Sequence, residues 1–366
     1  MKPFKFAIYL DNKAKGALLQ TLKYYRQNVY TEDVLIIYKR KLRIIFNYWN
    51  VLRKTKIPFI SFLKYSTLPN LDNTIMLYPF NALSNCRMVT NRKTKHIFVT
   101  HGESNKVTST KPIVRIYDHI IVAGNAGIDR FLEEKIFTPY DIKNHKIIRM
   151  GDTFIGESYY IFRQNSKTLL YAPTWEGGLK EECYSSITKN LDSFKLLSQY
   201  AKKHHYDTIL IQPHPNTGYI HPSYLYYLYL GIVYLQKEGF SIKIREWTTS
   251  FFHRFIFKQF QTISLDEIYP IHCAFCDVSA MEVQLLNKNI PTFVFFFDMP
   301  LSMPKNTLLQ QYYQNVGIYH FQSNFTIDTA LQEKVKEYYI SYEEGVETLP
   351  YEKRLEWLAS YIQNKE

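Results

Sequence analysis

The chain has 366 residues, 46% of them apolar or aromatic, and its 45 Lys and Arg against 33 Asp and Glu give a formal net charge of +12. That length predicts two domains of about 150–200 residues each, and the apolar content excludes a disordered chain. Four cysteines (Cys86, Cys183, Cys273 and Cys276) are too few for a disulfide scaffold of this length and fit a reduced compartment.

The excess of cations asks for an anionic partner: nucleic acid, anionic lipid or a phosphate-rich substrate. The 31 Tyr and 25 Phe suit aromatic cores, and equally a surface that meets headgroups or sugars. No run reaches about 18 uncharged apolar residues, so no spanning helix is expected. The opening Met-Lys-Pro-Phe-Lys-Phe-Ala-Ile-Tyr-Leu reads as a first strand and lacks the apolar core and cleavage site of a secretion signal.

In chain order, short apolar runs at 6–10, 34–38, 74–77, 96–99 and 119–123 carry β-branched or aromatic members and predict buried strands. A helix is predicted over 14–27, the right length for a βα unit. Runs that are apolar throughout, rather than alternating, predict a parallel sheet covered on both faces. The second half repeats the style, with strands over 167–171, 208–212, 240–245, 274–275 and 292–297 and helices over 222–236 and 279–289. A boundary is expected near 158–166, giving domains 1–160 and 161–366. A closing helix over 351–366 belongs to the second domain and is free to pack back on the first.

Residues 39–64 interleave Lys39, Arg40, Arg53 and Lys56 with Ile45, Trp49, Phe59 and Phe62. Basic and bulky apolar residues mixed in this way describe either a segment lying on an anionic bilayer or an amphipathic helix facing the core.

Four constellations follow predicted strands, where parallel sheets bind ligands. His101-Gly102-Glu103-Ser104 comes first: a histidine there can take a hydroxyl proton at neutral pH, Gly102 permits close approach, and Ser104 and Lys106 are available to an acceptor or anion. In the second, Thr174 can donate to a phosphate and Gly177 and Gly178 let amides turn inward, while Trp175 either stacks on a base or sugar or closes a domain interface. The third is Gln212-Pro213-His214-Pro215, whose prolines hold His214 extended as a phosphate contact or acid. The fourth is Cys276-Asp277-Val278-Ser279-Ala280-Met281-Glu282, where a helix should begin. Ser279 and the helix amides suit phosphate, and Asp277 suits a ribose or acceptor hydroxyl. Ser279 with Glu282 reads equally as a capping box.

His272, Cys273 and Cys276 fall short of the four ligands of a structural zinc, so no metal is expected. A Rossmann glycine fingerprint, a Walker loop and Gly-x-Ser-x-Gly are all absent, and no cofactor is implied.

Taken in order, the His101-Gly102 loop, the Tyr117-Asp118 to Ala123-Gly124 segment with Asp129-Arg130-Phe131, Tyr171 to Gly177, Pro213-His214-Pro215 and Asp277-Val278-Ser279 with Glu282 resemble the CDP-glycerol poly(glycerophosphate) glycerophosphotransferases, the teichoic-acid and capsule polymerase group. The resemblance covers about residues 96–297, and departs where Glu103-Ser104 replaces the usual Thr-Pro and Ala280 replaces a second serine. It implies an α/β fold of GT-B type, two Rossmann-like domains with parallel sheets facing a central cleft. It further implies transfer of a polyol phosphate from a CDP-activated donor to a cell-surface polysaccharide or lipid-linked acceptor, with release of CMP. The setting would be cytoplasmic, peripheral on the inner face of a bacterial membrane with an anionic surface. The family's catalytic histidines would fall on His101 and His214, and its donor contacts near Thr174, Asp277, Ser279 and Glu282. The rival enzyme reading is a nucleotide-sugar glycosyltransferase of the same fold in capsule or surface glycan synthesis. A nucleic-acid-binding protein would need a continuous basic and aromatic groove, and nucleic acid is not an expected partner.

Overall fold

The computed structural model describes residues 4–11, 15–40, 45–100, 102–178, 183–246, 255–296, 305–323 and 325–365. The chain divides into two compact units. One comprises Met1–Glu103, Thr110–Glu157 and Tyr338–Glu366, and the other Ser104–Ser109 and Ser158–Glu337.

The first unit is built on a parallel sheet. Its strands are β1 (Phe6–Leu10), β2 (Val34–Lys39), β3 (Phe59–Phe62), β4 (Ile75–Tyr78), β5 (Lys95–Phe98), β6 (His119–Val122) and β7 (Ile147–Arg149). They lie in the order β3-β2-β1-β4-β5-β6-β7. β1 pairs with β2 and β4 in parallel, Phe6 opposite Val34 on one side and Ile75 on the other. Every side chain of β1 is buried, as expected for a strand covered on both faces. Ile8, Leu10, Ile36 and Tyr38 join one apolar cluster, while Ala7, Tyr9, Leu35 and Ile37 join another. The period of two thus feeds two cores from one strand. The closing helix Tyr351–Lys365 adds Leu355, Leu358 and Ile362 to the first of these clusters.

Residues 48–63 bury some of their apolar side chains and pack others, half-buried, against the two cores. The helix Ile45–Leu52 buries Tyr48 and Leu52, and β3 buries Phe62. Trp49 and Leu63 are the outward ones, 47% and 59% exposed, and Trp49 meets Phe59 edge to face at 5.4 Å. The core-facing alternative accounts for the buried members over 48–62, while 41–44 and the side chains of 45–47 lie outside the described residues.

The second unit has a sheet of the same kind. Its strands are β9 (Thr168–Ala172), β10 (Thr208–Ile211), β11 (Ser241–Arg245), β12 (Gln261–Ile263), β14 (Cys273–Asp277), β15 (Thr292–Phe296) and β16 (Gly317–Tyr319), in the order β12-β11-β10-β9-β14-β15-β16. A separate two-stranded sheet joins β8 (Tyr160–Phe162) to β13 (Tyr269–Ile271). Both large sheets are parallel with helices between strands, so the α/β class expected from the sequence is what the chain adopts.

In the second unit β9 sits between β10 and β14, and chain direction across the sheet reverses there. The loops leaving β9 and β14 run from a topological switch point, the place where open parallel sheets hold ligands.

No helix among the described residues is long and apolar enough to cross a membrane.

Candidate functional site

At the switch point of the second unit, β14 ends on Asp277, which is fully buried. Its Oδ2 accepts the amide of Thr174 at 2.7 Å and that of Ser186 at 3.1 Å. One carboxylate thereby ties the loop after β9 to the strand end of β14. Among the described residues Asp277 Oδ1 has no hydrogen-bond partner. Burial raises the Asp277 pKa to about 7, even though hydrogen bonds from Ser186 and the Thr174 amide, and the charge of Lys106, pull it down.

Thr174 is itself buried, and its Oγ1 accepts from Lys106 Nζ at 3.0 Å. Lys106 also lies 5.2 Å over the ring of Tyr184. Its segment, Ser104–Ser109, is grouped with the second unit although it follows β5 in sequence. One further contact holds it there besides the lysine. Asn105 Nδ2 donates to Tyr313 Oη at 2.7 Å, and that hydroxyl donates to Glu282 Oε1 at 2.8 Å. Ser104 and Ser109 hydroxyls meet at 3.0 Å and brace the segment.

Glu282 therefore faces inward, 1% exposed, with burial raising its pKa to about 7 against the pull of the Tyr313 hydroxyl. The capping-box alternative for Ser279 and Glu282 is not what forms. Ser279 is the N-cap of the helix Ala280–Asn287, its side chain makes no capping bond, and Glu282 answers Tyr313 instead. Ser279 is half-buried, its hydroxyl at the positive end of that helix.

His214 follows β10, the strand beside β9. Its ring stacks on Trp175 at 5.8 Å and 14°, so Trp175 packs within this unit. His214 Nδ1 accepts the Asn216 amide at 3.1 Å, which places the proton of the neutral ring on Nε2. The ring is a donor on that side. Glu176, for which the sequence suggested no role, positions this loop: its carboxylate accepts the amides of Gly218 and Ile220 at 3.0 Å and of His221 at 3.1 Å. Gly218 has φ of +76°, where a side chain would be strained. No local sequence signal pairs Glu176 with these amides, which lie 42–45 residues further on.

The structure thus joins Lys106, Thr174 and Asp277 in one network, ties Glu282 to the same segment through Tyr313 and Asn105, puts Ser279 at the helix start after Asp277, and sets His214 against the residue next to Thr174. Asp277 and Glu282, expected as donor contacts, are buried and hold loops and segment in place. Thr174, expected to donate to a phosphate, is engaged by Lys106 and Asp277.

In the first unit, Gly102 follows β5 with φ of +142°, a conformation open to glycine, and its carbonyl accepts from Thr100 Oγ1 at 2.9 Å. Glu103 is buried and ion-paired with Arg130, also buried, on the helix Asn125–Glu133. Thr100, Gly102 and Glu103 border a narrow crevice with Ala123, Gly151 and Phe154. His101, the expected base, lies outside the described residues.

Among the described residues no group of three His, Cys, Asp or Glu is placed to hold a metal ion. Cys273 and Cys276 are buried in β14, and His272 meets the Tyr206 hydroxyl through Nδ1 at 3.0 Å.

Two α/β units, each built on a seven-stranded parallel sheet, define the class. No protein-family model matches the chain and no curated protein is similar to it. Solved structures similar to it include Anabaena Alr3699/HepE in complex with UDP and glucose, at 9% identity over 98% of this chain and 99% of that one, with a TM-score of 0.48. Arabidopsis thaliana UGT89C1 complexed with UDP-L-rhamnose is 11% identical over 98% and 94%, with a TM-score of 0.44. A glycosyltransferase from Rickettsia africae ESF-5 is 11% identical over 100% and 94%, with a TM-score of 0.41. Likeness at that level does not bear on substrate or chemistry.

Proposed function

We propose that the chain is a transferase whose second unit holds the diphosphate of a nucleotide-activated donor. The observation that carries this is the Lys106–Thr174–Asp277 network, which brings a cation to the switch point beside the Ser279 helix start. A lysine ammonium, a serine hydroxyl and free helix amides are the donors that a diphosphate needs, and His214 Nε2–H adds a fourth beside Trp175.

The transferred group is proposed to be a polyol phosphate from a CDP-polyol. An acceptor hydroxyl oxygen bonds to the phosphorus that carries the polyol, the bond from that phosphorus to the bridging oxygen breaks, and CMP leaves with the electron pair. His101 is proposed to take the hydroxyl proton. Lys106, Ser279 and His214 stabilise charge on the phosphoryl oxygens and on CMP. Asp277 and Glu282 act as positioning residues. The acceptor is a polysaccharide or lipid-linked glycan at the inner face of the membrane.

The same cradle suits a nucleotide sugar, because it addresses the diphosphate that both donors share. In that reading the acceptor oxygen attacks the anomeric carbon and a nucleoside diphosphate leaves.

The leaving group separates the two. CDP-glycerol, CDP-ribitol and common nucleotide sugars are offered with a glycan acceptor, and the released nucleotide is identified. CMP supports polyol-phosphate transfer, and a nucleoside diphosphate supports glycosyl transfer. Release of neither, with no binding of CDP or UDP, overturns the proposal. His101→Ala should abolish turnover while donor binding persists; near-normal turnover removes it as the base.

A further inference from the structure

A second polar cluster sits at the strand ends of the first unit, where β1 and β4 lie side by side and chain direction across that sheet reverses. Asp11 follows β1 directly and is 5% exposed. Tyr9 Oη donates to Asp11 Oδ2 at 3.4 Å and lies 2.8 Å from Tyr65 Oη. Tyr65, in the loop after β3, is half-buried. Over its ring lie the Lys39 ammonium at 4.9 Å and the Arg87 guanidinium at 6.0 Å. Lys39 ends β2, and Arg87 belongs to the helix Cys86–Val89 beyond β4. Ser84 Oγ donates to the Asp11 carbonyl at 3.3 Å. Three separate stretches of chain, at 9–11, 39 and 84–87, therefore converge around the Tyr65 phenol.

Two cations share that ring, and among the described residues no carboxylate is ion-paired with either. Cations held this close repel one another, and a positive strand end next to low-dielectric protein concentrates anions. Beneath them, Asp11, Tyr9 and Tyr65 offer acceptors and a donor suited to hydroxyl groups. When Tyr9 gives its proton to Asp11, Tyr65 gives its own to Tyr9 and keeps an oxygen lone pair for a ligand hydroxyl.

We propose that this cluster is a binding site for a hydroxylated anion, a phosphorylated or carboxylated sugar or polyol. Lys39 and Arg87 hold the anionic group, and Tyr65 with Asp11 holds the hydroxyls. On the transferase reading, on which this step alone rests, the ligand is the end of the acceptor. The acceptor is then itself anionic close to the hydroxyl that reacts.

Binding to the full chain is measured by calorimetry with glycerol 3-phosphate, with glucuronate and with uncharged glycerol. The charged compounds should bind and glycerol should not, and the stronger of the two identifies phosphate or carboxylate as the anion. Lys39→Gln with Arg87→Gln should weaken binding about tenfold or more. Arg87→Glu, which changes an exposed side chain, should weaken it in the same direction. Lys106→Ala should leave this binding in place while weakening CDP, which distinguishes it from phosphate held in the second unit. Undiminished binding in the folded Lys39 and Arg87 variants, or equal binding of glycerol, overturns the site. If no variant binds CDP or UDP yet glycerol 3-phosphate still depends on Lys39 and Arg87, the transferase reading fails and the anion site stands.

Discussion

Lys106 donates to the hydroxyl of Thr174 at 3.0 Å while Asp277 takes the amide of the same threonine at 2.7 Å. A cation and a buried acid thus grip one residue from its two ends. Lys106 stands just ahead of a single short 3-10 turn, Val107–Thr110, so the hydrogen bonds of Lys106 and Asn105 are what orient the lysine. Lys106→Ala removes the cation without touching the sheet. Charge-assisted hydrogen bonds contribute about 1.5–3 kcal/mol, so CDP or UDP affinity should fall about 10- to 100-fold in calorimetry with the circular dichroism spectrum unchanged. An unchanged affinity would remove Lys106 from the diphosphate site.

Asp277 and Glu282 both have pKa values raised to about 7 by burial, which makes stability depend on pH in a direction opposite to ordinary carboxylates. The folded chain binds their protons more tightly than the unfolded chain does. Between about pH 4 and 7 the folded state therefore carries more protons, and stability falls as pH rises through that window, by about 1.4 kcal/mol per pH unit for each group. Buried His96 and His119, with lowered pKa values, act in the other sense: the unfolded state binds their protons, so they add stability as pH rises toward 6.5. The comparison that isolates Asp277 is wild type against Asp277→Asn, which keeps an oxygen for the two amides but cannot ionise. Denaturant unfolding from pH 4.5 to 8 should show the variant gaining on wild type by about one proton's slope up to pH 7, then running parallel. Parallel curves throughout would mean that Asp277 ionises normally.

The strands of the switch points were legible because they are fully buried. Runs such as 6–10, and Ile209–Ile211 within 208–212, are apolar without interruption, and β1 coincides with its expected span. The strands that escaped notice are short or broken in pattern: β7, β8 and β16 have three residues each, and Pro270 interrupts β13, which only a small two-stranded sheet tolerates. β3 was obscured by the cations around it, since a run like Phe-Ile-Ser-Phe beside lysines also describes a bilayer surface. At the site, residue types at strand ends pointed to Thr174, His214, Asp277 and Ser279. What they could not convey was direction. Asp277 and Glu282 turn inward because their partners are an amide of residue 186 and a phenol at residue 313, and no local spacing encodes such distant pairings. Lys106 was visible as a cation after Gly102, yet its place beside Thr174 depends on Asn105 finding Tyr313.

Glu176 sits one residue past Trp175 and takes three backbone amides from residues 218–221. These amides lie in a turn that no strand or helix satisfies, so the carboxylate stands in for secondary structure. Glu176→Ala leaves three donors without that acceptor. A loss of about 2–4 kcal/mol is expected, read as a fall in melting temperature of about 5–15 °C. Nucleotide affinity should fall as well, because the loop that carries His214 loses its anchor. Glu176→Gln, which retains one acceptor oxygen, should lie between the two. A melting temperature within a degree of wild type for Glu176→Ala would show that the loop is held by other means.

Gly231 lies inside the helix Ser223–Lys237, where alanine is ordinarily the better residue by about 1 kcal/mol. The packing reverses that preference. A Cβ at this position would stand 2.3 Å from Cε2 of Phe194, on the neighbouring helix Asp192–Lys203, closer than any real contact. Phe194 is fully buried and meets Tyr171 of β9 edge to face at 5.3 Å, so it cannot yield without disturbing the strand that leads to Thr174. Overpacking of this kind costs about 1–3 kcal/mol, and Gly231→Ala should accordingly be destabilised by about 1–2 kcal/mol in denaturant unfolding, not stabilised. Adding Phe194→Leu should make room for the methyl, so the double variant should lose less than the sum of the two single changes. Strict additivity would show that the two side chains do not compete for that space.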